Sequence, residues 1–141
     1  MENKSGKVKV KTSRIKMIKL LVLILLVGTL SHAQITSYKA KHCFYVRDVQ
    51  GEPITEKPLG SNVTIKFDTF FKSYDITYID EKGQLIKLTF SYQFEDPQYK
   101  LPLYKDVKDH ACFIVNKMSE DKTLFVIYKE IPDWRLEIRD K

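Results

Sequence analysis

Two short stretches hold the residues with the most reactive side chains: Lys41-His42-Cys43-Phe44 and Asp109-His110-Ala111-Cys112-Phe113. They contain the only two cysteines and two of the three histidines. Imidazole and thiolate together suit a tetrahedral zinc shell, and a thiolate beside a base suits nucleophilic catalysis. The spacing argues against both. Adjacent residues of a strand point to opposite faces, so His42 and Cys43 do not share an ion, whereas His110 and Cys112 do share a face. Paired cysteines at zinc or redox spacing are absent, and no glycine-rich turn marks an exposed nucleophile. No catalytic residue, metal ligand or cofactor is therefore assigned.

The cysteines acquire a different expected role from the leader. Seven basic residues, Lys4 to Lys19, precede the run Leu20–Leu30, which is almost wholly apolar. Ser31-His32-Ala33 follows, with small residues at the two positions a signal peptidase reads. Eleven residues are too few for a membrane-spanning helix, which needs roughly 20. The pattern resembles a Sec-type signal peptide cut after Ala33, with Met17 an alternative start of translation. Residues 1–33 are thus expected to be removed. Residues 34–141 are expected to be one secreted or periplasmic domain with no stable membrane anchor. In an oxidising compartment a structural disulfide, Cys43–Cys112, is the expectation.

The leader also explains the charge. Its seven basic residues and one acid account for the whole net +6. The mature part has 17 basic and 17 acidic residues, with no basic block to neutralise phosphates, so nucleic acid is not an expected partner. The acidic pairs Asp80-Glu81, Glu95-Asp96 and Glu120-Asp121 read as solvated turns. Asp106 and Asp109 are too sparse for a calcium loop. Asn62-Val63-Thr64 matches a glycosylation acceptor, relevant only to a eukaryotic secretory route.

The elements that position these residues read as strands. All eight Phe, all eight Tyr and Trp134 fall in the mature part. Ile86, Leu88, Phe90, Tyr92 and Phe94 alternate with Lys87, Thr89, Ser91 and Gln93, a period of two with one dry face. The same period marks Val63–Phe67, Tyr74–Tyr78, Leu124–Tyr128 and Trp134–Ile138. Turns are expected at Asp48–Gly51, Asp80–Gly83 and Ser119–Lys122, and a long loop over residues 95–109. The fold expected is all-β: an antiparallel meander of about seven strands, closed as a small barrel or folded as a sandwich. The expected function is a non-catalytic binding domain for an unknown protein or envelope component. The alternatives are a barrel carrying a small apolar ligand, with Tyr92, Phe94, Tyr99 and Tyr104 rimming its mouth, and a small hydrolase without a recognisable motif.

Overall fold

The computed structural model describes residues 13–22 and 34–141. Residues 13–22 form one helix, and no helix among the described residues is long and apolar enough to cross a membrane. The expected cleavage position after Ala33 and residues 23–30 of the apolar run lie outside the described residues.

From Ile35 onward the chain is a closed antiparallel barrel of eight strands in sequence order. They are β1 (Ile35–Val49), β2 (Glu52–Asp68), β3 (Ser73–Asp80), β4 (Leu85–Glu95), β5 (Pro102–Asp106), β6 (Ala111–Lys117), β7 (Thr123–Tyr128) and β8 (Trp134–Arg139). β8 returns to pair with β1, from His42 opposite Arg139 to Arg47 opposite Trp134. Closure decides between barrel and sandwich. The eighth strand is β5, which the two prolines of residues 95–109 hide. Pro102 is its first residue, where a missing N–H costs least.

The alternation expected from sequence fills the interior. Ile65, Ile76, Phe90, Leu124, Val126 and Ile138 are fully buried in one core, with Tyr38, Phe67, Ile86, Leu88, Ile114 and Tyr128 packed against it. β2, β3, β4, β7 and β8 thus each send alternate residues inward. Phe94 departs from this. A register shift between Tyr92 and Phe94 flips the following side chains, and Phe94 ends half exposed on the outer wall. Such a bulge cannot be read from hydrophobic parity.

Local chemistry sets the turns. Gln50 and Gly51 both have positive φ, 54° and 83°, the twist-matched two-residue hairpin. Asp80 Oδ1 accepts from the N–H groups of Lys82 and Gln84, and Gly83 takes φ 78°. Gly60 is needed for close approach instead: a Cβ there would lie 2.3 Å from the Ile79 carbonyl oxygen and 2.5 Å from the Tyr78 ring. Asn62 has φ 53°, sits exposed at the adjoining β2 irregularity, and belongs to a residue type that tolerates the left-handed region.

Two outer-wall clusters bind the strands further. Arg135 and Arg139 flank Glu137, which is only 7% exposed, and reach Asp48 and Glu56 on β1 and β2. Elsewhere Leu103 and Phe113 are buried on the outside, with Tyr99 edge-on to Phe113 at 5.4 Å. Asp96, 1% exposed, fastens that loop: it accepts from the N–H of Gln98 and Tyr99 and from Lys129 Nζ at 2.7 Å. The Glu95-Asp96 pair is therefore only half solvated, contrary to the turn expectation.

Candidate functional site

The wall of the barrel is uneven. β4 has eleven residues and β5 has five. Pairing between them runs from Glu95 opposite Pro102 to Phe90 opposite Asp106, the last residue of β5. Leu85–Thr89 therefore pair with β3 on one side and with no strand on the other. A cavity of about 420 Å³ opens at this gap. Tyr45, Leu88, Phe90, Ala111 and Tyr128 form its walls and floor. The β5–β6 turn contributes Asp106, Val107, Lys108 and His110, and the chain after β7 contributes Glu130 and Ile131. The volume lies in the range of small-molecule sites, roughly 300–1,000 Å³. Its lip is apolar and exposed: Val107 is 82% exposed and Ile131 45%.

One polar device stands at the lip. Asp106 Oδ1 accepts from the backbone N–H of Lys108 and of His110, each at 2.9 Å. Asp106 Oδ2 lies 3.1 Å from His110 Nδ1. Burial alone would raise the Asp106 carboxyl. The His110 backbone N–H, its ring and the Lys108 N–H outweigh burial and hold it below the usual carboxylate range. An ionised carboxylate only accepts, so it fixes the imidazole proton on Nδ1. The ring stands edge-on to Tyr128, with centroids 6.4 Å apart. Burial pushes the Tyr128 phenol up to about 12, with the Asp106 charge adding to the effect, so the phenol stays neutral.

The residues first singled out fall apart in space. His42 lies on the outer wall against the Phe44 ring, centroids 5.9 Å apart, while Cys43 is fully buried inside. His110 joins the cavity; Cys112, two residues on, is buried in the core. Among the described residues no group of three or more His, Cys, Asp or Glu converges as a metal site would require.

The expected disulfide needs correction: Cys43 and Cys112 are free thiols. β7 and β8 lie between β6 and β1 around the wall. Three strand steps of roughly 4.8 Å exceed the roughly 4.4–6.8 Å Cα separation a disulfide tolerates. Burial pushes both thiols up to about 12.

None of Tyr92, Phe94, Tyr99 and Tyr104, expected to rim a mouth, lines this cavity. Tyr92 and Tyr104 meet inside, edge to face at 5.9 Å, and Phe94 and Tyr99 lie outside. The lining residues Tyr45, Leu88, Phe90 and Tyr128 carry no signal beyond strand parity. The gap that exposes them follows from the unequal lengths of β4 and β5, which only the register defines. No protein family matches the chain, and no curated protein or solved structure matches it significantly.

Proposed function

We propose that the mature chain is a small exported barrel that binds an apolar or aromatic molecule in the gap between β4 and β6. One observation carries the reading: a pocket of about 420 Å³ whose walls are aromatic and aliphatic and whose exposed lip is also apolar. Exposed Val107 and Ile131 cost solvation in a free molecule, and a bound apolar ligand recovers it, at roughly 25 cal/mol per Å² buried. Export rests on the leader pattern and places this binding in the periplasm or outside the cell.

The reading is non-catalytic. Both thiols are buried and neutral, and Thr89 Oγ1, the lining hydroxyl nearest in character to a nucleophile, donates instead to Asp75 at 2.7 Å. Displacement of an environment-sensitive apolar dye tests the proposal. Saturable one-to-one binding is expected, abolished by Leu88→Trp, which fills the pocket without changing the melting temperature by more than a few degrees. Dye binding that survives Leu88→Trp unchanged counts against the site.

A second reading, docking on a protein or envelope component, is favoured by the opposite end of the barrel. There Phe70 and Phe71 are 63% and 71% exposed, edge-on at 5.0 Å, with Asp68 accepting from both their N–H groups. Strand addition to the free flank of β2 over residues 52–59 is disfavoured, because Pro53 and Pro58 interrupt it. Envelope pull-down with wild type against a Phe70→Ser, Phe71→Ser variant tests docking; equal recovery of partners removes it.

A further inference from the structure

The lip of the cavity constrains the polar side of a ligand. His110 lines the cavity, and Asp106 occupies its Nδ1. Among the described residues Nε2 has no partner. It is therefore the unengaged polar atom of a ring whose tautomer is already set. A neutral imidazole with its proton on Nδ1 presents a lone pair at Nε2, so it accepts a hydrogen bond. The surrounding charges bear on the choice of ligand. Besides His110, the lining carries two carboxylates, Asp106 and Glu130, and one ammonium, Lys108. A ligand carboxylate would meet this excess of negative charge, whereas a neutral hydroxyl would not.

Resting on the proposed cavity function, we propose that the ligand is an uncharged alcohol or phenol whose O–H donates to His110 Nε2 while its apolar body lies against Phe90, Tyr128 and Leu88. Asp106 is then a positioning residue. It touches no ligand, yet it holds the ring and the proton that make Nε2 an acceptor. The arrangement gives discrimination as well as affinity, because a ligand without a donor covers the half-exposed acceptor without pairing it.

The test compares three probes of one apolar body at pH 8 by titration calorimetry: 4-propylphenol, its methyl ether and 4-propylbenzoate. In the wild type the phenol is expected to bind about five- to tenfold more tightly than the ether, the range of one net hydrogen bond. In His110→Leu the phenol is expected to fall to the ether's affinity, with the ether itself little changed. His110→Gln, which restores an acceptor, is expected to recover part of the difference. Equal binding of phenol and ether to the wild type, a preference that survives His110→Leu, or tightest binding of the benzoate each overturns the headgroup assignment while leaving the cavity as a binding site. Binding of none of the three overturns both.

Discussion

Cys43 and Cys112 illustrate how a residue's chemistry depends on a position its neighbours in sequence do not reveal. Both lie on strands, but whether they meet depends on how many strands separate them around a closed wall. As buried neutral thiols they are inert while the barrel is folded. Iodoacetamide at pH 8 is expected to leave the native protein unmodified and to label both thiols in urea without reductant. A chain that takes no label in urea until it is reduced would restore the disulfide. Gly60 is the clearest single steric constraint. Because the obstruction includes backbone, Gly60→Ala is expected to destabilise by about 1–3 kcal/mol, read from urea midpoints. Phe90→Ala, which empties the largest fully buried side chain, is expected to cost about 3–5 kcal/mol and to enlarge the pocket floor. His110 stood out in the sequence by type. Asp106, four residues earlier, did not, because its partnership depends on the tight β5–β6 turn folding the chain back on itself.

Among the elements, the five hydrophobic alternations were legible because parity alone specifies a strand with one dry face. β5 was not legible. It is short, begins with proline and is secured partly from outside, through Leu103, Tyr99 and Asp96 rather than by its own alternation. The Asp96 carboxyl is held below its ordinary range by Lys129, then by the Tyr99 and Gln98 N–H groups. With the folded value depressed, the stability Asp96 contributes is complete above the unfolded value, near 3.9, and is lost as pH falls through the lower folded one. Urea midpoints measured from pH 7 down to pH 3 are expected to fall at the acid end. Asp96→Asn is expected to lower the pH 7 midpoint and flatten that fall; an unchanged acid limb would mean that the loop is fastened by other contacts. The β8 ladder is a second element-scale device. Removing Glu137 leaves Arg135 and Arg139 facing each other on the wall, and Glu137→Ala is expected to cost about 2 kcal/mol in the same assay.

At the scale of the whole molecule, the fold class was legible and closure was not. About seven strands with short connections fit a sandwich as well as a barrel. The pairing of β8 with β1 decides it, and that contact joins the first and last strands of the barrel. The candidate site is a product of the same scale. A wall of eight strands with one strand half the length of its neighbour leaves a gap, and the gap lies where the interior is aromatic. The most direct measurement is amide chemical-shift mapping of the barrel titrated with 4-propylphenol. Saturable perturbations confined to Tyr45, Leu88–Phe90, Asp106–Ala111 and Tyr128–Ile131 are the predicted result. Perturbations centred on Phe70 and Phe71, or none at millimolar probe, would contradict the account.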